Sequence, residues 1–113
     1  MNTRKPPLEK KIVNATLTAL KARGGFWYKA HGSPYQTAGL PDIIGCYHGR
    51  FISFEVKRDE HGEATALQTF MMERIRTAGG VAILIHTVKM ALAILDRIDE
   101  RQEARARDRK STP

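Results

Sequence analysis

The chain has 113 residues, 42% of them hydrophobic, with 19 Lys and Arg against 12 Asp and Glu and a net charge of +7. That length suits one domain with a modest core and leaves no room for two. No apolar run approaches the roughly 18 residues that a membrane span needs, and the lone cysteine, Cys46, excludes an internal disulfide and any zinc site built on paired cysteines.

Residues 1–7 are polar, carry two prolines and are expected to be a disordered start. No apolar run of the kind a leader carries follows them, so a reducing, intracellular setting in the cytoplasm is expected. A helix is predicted from Leu8 to Lys21, with Pro7 near its first turn and Gly24-Gly25 at its end. Residues 1–31 hold seven basic side chains against Glu9 alone. A basic surface of that density points to nucleic acid, and less strongly to an acidic membrane.

The aromatic stretch Phe26 to Ala30 reads as a strand, and His31 to Gly39 has the Gly, Ser and Pro of a loop. Strands are then predicted at Asp42–Tyr47 and Arg50–Arg58, split by His48-Gly49. After a charged loop, a helix is predicted over Ala66–Ala78, with Leu67, Phe70, Met71, Ile75 and Ala78 at helical spacing. Gly79-Gly80 stop it. The continuous apolar run Val81 to His86 reads as a strand buried on both faces. Thr87 then caps a third helix with Met90, Ala91, Ile94, Leu95 and Ile98 on one stripe. Beyond Asp99 the chain alternates basic and acidic residues, as in a solvated helix extension or a disordered end, either of which could contact nucleic acid. The whole order implies an α/β fold: a mixed four-stranded sheet flanked by helices. Cys46 is expected in the core, and His31, His48, His61 and His86 show no metal-ligand spacing.

The stretch from Gly39 to Asp59 carries an anomaly. If His48-Gly49 form a two-residue turn, Tyr47 faces Arg50 and, counting back, Asp42 faces Glu55. Two carboxylates then sit about 5 Å apart at Cβ on one face of the hairpin, with Lys57 projecting to the same face. Like charges opposed across a sheet are destabilising. A hard divalent ion, which prefers oxygen ligands, relieves that repulsion, polarises a phosphoryl oxygen and lowers the pKa of bound water. Lys57 beside it would orient a water or stabilise charge on a phosphate. That is a composition for phosphodiester hydrolysis. An ordinary hairpin with Glu55 and Lys57 in solvent is the competing reading, and a slip of one residue would separate the acids.

Three further residues carry two readings each. Glu9 lies within the apolar stripe Ile12, Val13, Thr16 and Leu20; it is either a first-turn acid favoured by the helix dipole or a third acidic ligand. Gln68 completes a capping box with Thr65, and is equally suited to bind phosphate or water. Lys29 is a phosphate contact or a surface lysine beside packed aromatics.

In sum, Pro41-Asp42 and Glu55-Val56-Lys57, with Glu9 before and Gln68 after, resemble the PD-(D/E)xK nuclease superfamily. More narrowly, residues 39–45, 49–57, Thr65 with Gln68, and Ala78-Gly79-Gly80 resemble the VRR-NUC domain in its compact stand-alone form, over residues 8–98. The resemblance implies a restriction-endonuclease-like core and a Mg²⁺- or Mn²⁺-dependent DNA nuclease. It implies Asp42, Glu55 and the Val56 carbonyl as metal ligands, with Glu9 completing the acidic set. Lys57 would be the catalytic lysine and Gln68 the helix glutamine. Stand-alone members are similar to Holliday-junction resolvases, act as homodimers and are common in phage genomes, where the setting is the host cytoplasm. Branched or structured DNA is therefore the expected substrate, with Lys5, Lys10, Lys11, Lys29 and Arg58 as nucleic-acid contacts. Cleavage at plain duplex ends or nicks, or DNA binding without catalysis, are the alternatives. The tail, 99–113, lies outside the resemblance.

Overall fold

The computed structural model describes residues 6–30 and 37–111; Lys5, His31 and almost all of the expected disordered start lie outside the described residues. Seven elements follow in order: α1 (Pro7–Arg23), β1 (Phe26–Lys29), β2 (Ile43–Tyr47), β3 (Arg50–Val56), α2 (Ala66–Thr77), β4 (Val81–Ile85) and α3 (Val88–Ser111). The four strands form one mixed sheet in the order β1-β2-β3-β4. The first three run antiparallel, and β4 joins β3 in parallel after the α2 crossover.

Local chemistry accounts for the boundaries. Pro7 opens α1 where its missing N–H costs nothing, and Gly24 leaves the helix at φ +111°. Thr65 and Gln68 form the expected capping box on α2. Thr87 Oγ accepts from the Met90 N–H at 3.2 Å and starts α3. In the β2–β3 turn both His48 and Gly49 have positive φ, 50° and 75°, which matches the twist of the flanking strands.

One face of the sheet holds the core. Trp27, Ile43, Tyr47, Ile52, Phe54, Val56 and Ile85 pack there against Val13 and Leu20 of α1 and Ala91, Leu95 and Ile98 of α3. Trp27 stacks on Phe54 with ring centres 6.2 Å apart. It lies flat because its strand partner is Gly45, where a Cβ would come within 2.3 Å of the indole.

Three expectations change. β4 is an edge strand, with Val81, Ile83 and Leu84 half-buried rather than enclosed, because one helix, α2, covers its outer face. The outward Ala82 carbonyl is instead taken by the Arg76 guanidinium at 2.6 and 2.9 Å, which blunts that edge. On α2, Leu67 and Phe70 are exposed and Met72 is the buried residue, since the helix sits at the sheet margin and its stripe is wider than its seat. Cys46 is exposed, because it alternates onto the uncovered face of β2. Of the two forms expected for the tail, the helix is the one present, running on from α3 to Ser111. No helix among the described residues is long and apolar enough to cross a membrane.

A polar network locks α3 to the turn end of the sheet. Asp99 accepts from Tyr47 Oη at 2.6 Å and from Arg23 at 2.8 Å, with His48 Nε2 at 3.2 Å; Arg23 also reaches Asp96 at 2.8 Å. The Tyr47 hydrogen bond, then the Arg23 guanidinium, hold the Asp99 carboxyl below its ordinary value, against the effect of desolvation. A depressed folded-state pKa gives stability that is present above the ordinary carboxylate range and is lost as pH falls through it. Asp99→Asn should therefore unfold at lower urea than the wild type at pH 7, with the gap narrowing as pH falls below the ordinary carboxylate range towards the lowered folded-state value; a gap independent of pH would show that the carboxylate charge is not the anchor.

Candidate active site

The hairpin register determines where the acids stand. Tyr47 pairs with Arg50 and Ile43 with Phe54, so the next position back sets Asp42 beside Glu55, as the two-residue turn requires. Asp42 follows the buried Pro41 and is tied to β1 as well, its carbonyl accepting from the Ala30 N–H at 2.9 Å. Both carboxylates are fully buried. Asp42 Oδ2 accepts from the Val56 N–H at 2.7 Å. Glu55 Oε2 accepts from Gln68 Nε2 at 3.1 Å and lies 3.7 Å from Lys57 Nζ. Ionised carboxylates are held in such an interior only when charge and hydrogen bonds compensate their desolvation.

The surrounding elements fix these partners. Gln68 is oriented from its other atoms: its N–H donates to Thr65 Oγ at 3.1 Å and its Oε1 accepts from the Thr65 N–H at 2.8 Å. Its amide nitrogen is thereby turned to Glu55, so the cap and the site contact coexist in one side chain. Lys57 is pinned through its backbone, the N–H to the Ile85 carbonyl at 3.0 Å and the carbonyl to His86 Nδ1 at 3.1 Å. Glu9 is buried near the start of α1, and its Oε1 accepts from the Arg58 N–H at 3.3 Å. Glu9, Asp42, Glu55, Val56, Lys57 and Gln68 thus gather around the C-terminal end of β3.

The donor chemistry suits a hard divalent cation: two buried carboxylates at adjoining positions of neighbouring strands, hard oxygen donors. Among the described residues, no three His, Cys, Asp or Glu side chains converge closely enough to hold an ion by themselves. An ion held through one or two carboxylates, with water completing its shell, is the usual arrangement for Mg²⁺, and Asp42 with Glu55 fit it.

The expected basic contacts are dispersed. Lys10 and Lys11 are exposed on α1. Lys29 is exposed at the Asp42 end of β1, but it pairs with Ile43 and so belongs to the opposite sheet face. Arg58 follows the site, exposed and 3.6 Å from Asp59. His86 was missed by the sequence reading; the parallel register that pairs Val56 with Ile85 is what brings it beside Lys57.

This architecture is that of solved VRR-NUC domains. One structure, described as a VRR_NUC domain, superposes with a TM-score of 0.66 at 22% identity, covering 80% of this chain and 97% of that one. A second, a VRR_NUC domain protein, gives 0.65 at 18% identity, covering 83% and 89%. No protein-family model and no curated protein matches the sequence. The chain therefore has the VRR-NUC fold, a restriction-endonuclease-like core of four mixed strands and three helices.

The double bonding of Gln68 separates cap from site by substitution. Gln68→Ala removes both the cap and the donor to Glu55 and should cost about 1 kcal/mol or more at pH 7. Gln68→Glu keeps the cap but opposes Glu55 with another carboxylate; its urea midpoint should fall at pH 8 and recover towards pH 5. Equal midpoints at both pH values would mean that residue 68 does not face Glu55.

Proposed function

We propose that the chain is a Mg²⁺- or Mn²⁺-dependent DNA endonuclease that hydrolyses phosphodiester bonds in branched or structured DNA. The observation that carries this reading is the pair of buried carboxylates, Asp42 and Glu55, aligned by the hairpin register beside Lys57 and Gln68. The VRR-NUC fold supports the same class of activity.

Asp42, Glu55 and the Val56 carbonyl would hold the ion, with Glu9 supplying a further acid from α1. The ion would supply polarisation of the scissile phosphate and acidification of a bound water. The chain's own groups do the rest. Lys57, largely shielded and held by Glu55, stabilises negative charge on the phosphate or steers the attacking water. Gln68 keeps Glu55 oriented and offers its amide to a phosphate oxygen or water. Lys5, Lys10, Lys11, Lys29 and Arg58 supply the diffuse positive charge that DNA requires. A purely DNA-binding role fits poorly, because burying acids at a phosphate contact weakens binding.

The active species is a homodimer in this reading. Phe26, Tyr28 and Phe51 are 65%, 44% and 45% exposed around Cys46, on the sheet face away from α1 and α3. A contiguous apolar patch of that kind marks an interaction surface. Two sites related by a two-fold axis would cut two strands.

A panel of duplex, nicked, flap, single-stranded and four-way junction DNA tests the reading. Cleavage should favour the branched members with Mg²⁺ or Mn²⁺ present and stop with EDTA; cutting that survives chelation would point to other chemistry. Asp42→Asn and Glu55→Gln should abolish cleavage while binding persists or tightens, since a repulsive charge is gone. Lys57→Ala should slow single-turnover cleavage by about 10²-fold or more with a far smaller change in affinity. Parallel loss of binding and cutting would remove these residues from the chemistry.

A further inference from the structure

The inner stripe of α3 changes character where the sheet ends. Ala91, Ile94, Leu95 and Ile98 face the body, and Ile98 is the last buried residue of the helix. At about 100° per residue, Arg101, Gln102, Arg105 and Arg109 continue that same stripe within roughly 60° of Ile98, while Glu100 and Glu103 point about 140–200° away. From Asp99 to Ser111 the helix runs on for about 18 Å at 1.5 Å per residue. Arginines therefore occupy the inward side of an overhang, where a core stripe would otherwise continue.

The hairpin turn supplies the other wall. His48, Arg50, Ile98, Arg101, Gln102 and Arg105 line one small cavity between the turn and the helix. Among the described residues, Arg50, Arg101 and Arg105 make no ion pair. Asp99, beside Ile98 on the helix, is already held by Arg23, Tyr47 and His48. Asp108 sits to one side of the stripe and has a partner of its own. Three guanidiniums thus line one cavity without the carboxylates that surface arginines usually find, an arrangement that a polyanion stabilises.

We propose that this groove, between the His48-Gly49 turn and the overhanging end of α3, binds the DNA phosphate backbone away from the scissile bond, through Arg50, Arg101 and Arg105. The inference rests on the nuclease reading and extends it. Arg50 and Glu55 lie at opposite ends of β3, five residues or about 17 Å apart. The groove therefore meets DNA about five base pairs from the carboxylates, at one phosphate per about 3.4 Å of strand. Arg101 and Arg105 are about 6 Å apart along the helix, far enough to take different phosphates. Guanidinium forks bind such oxygens in a bidentate way.

The test is DNA binding by fluorescence anisotropy across a salt series, in EDTA to prevent cutting, with duplexes of about 10 and about 30 base pairs. Arg101→Ala/Arg105→Ala should weaken binding to the long duplex about tenfold or more and lower the log–log salt slope by about 2. It should matter less on the short duplex, where few registers place phosphates in both site and groove at once. The control Arg107→Ala/Lys110→Ala removes equal charge from the outer side of the same helix and should have a small effect. Alanine preserves helix propensity, and circular dichroism checks it; should the helix be lost, Arg50→Ala on the sheet should weaken binding in the same way and lower the slope by about 1. Equal losses for the two pairs, with wild-type binding intact, would overturn the groove and leave the nuclease reading standing. A wild type that binds neither duplex would overturn both.

Discussion

The fold turns on a two-residue bend. With His48 and Gly49 both at positive φ, β2 and β3 can pair in one register, and that register alone sets Asp42 beside Glu55. A shift by one residue would carry the acids to opposite faces and would also expel from the core the apolar side chains of whichever strand slipped, Ile43 on β2 or Ile52 and Phe54 on β3. The core's apolar pattern and the site's geometry are therefore enforced by the same hydrogen-bond ladder. Histidine in a left-handed conformation is an uncommon choice, and its contacts account for it: the Tyr47 ring, edge-on with ring centres 4.6 Å apart, and Asp99 at 3.2 Å hold it there.

Around that register the molecule divides its labour by sheet face and by strand end. One face is apolar and packed against α1 and α3. The other carries the carboxylates at the C-terminal end of β3, with α2 presenting Gln68 to them. At the far end of the same strands, the turn and α3 are bound by the Arg23–Asp99–Tyr47 network, which leaves Arg50 and the inner arginines of α3 facing a groove. Chemistry at one end and charge at the other suit a substrate that is long and anionic.

Much of this was legible in the sequence because it rests on short-range rules. Turn length gave the register, helical angle put Glu9 among Val13, Thr16 and Leu20, and the Thr65–Gln68 spacing announced a capping box that is present. The departures share a cause: periodicity tells which way a side chain points, not whether anything covers it. Leu67 and Phe70 keep their stripe on α2 but overhang the sheet margin, and Cys46 alternates onto a face no helix reaches. The enclosure expected for β4 failed for the same reason. Contacts between distant segments, such as Arg23 with Asp99 or Lys57 with His86, leave no local signal at all. The end of α3 was ambiguous in composition, yet its 3.6-residue period already aligned Arg101 and Arg105 with Ile98.

The central claim is that two carboxylates on adjacent strands form a site for a hard cation, and it can be examined without DNA or turnover. Calorimetric titration of Mn²⁺ into the protein should show saturable binding that disappears in Asp42→Asn and in Glu55→Gln, both still folded. Binding unaffected by either substitution, or no binding by the wild type at millimolar Mn²⁺, would contradict it.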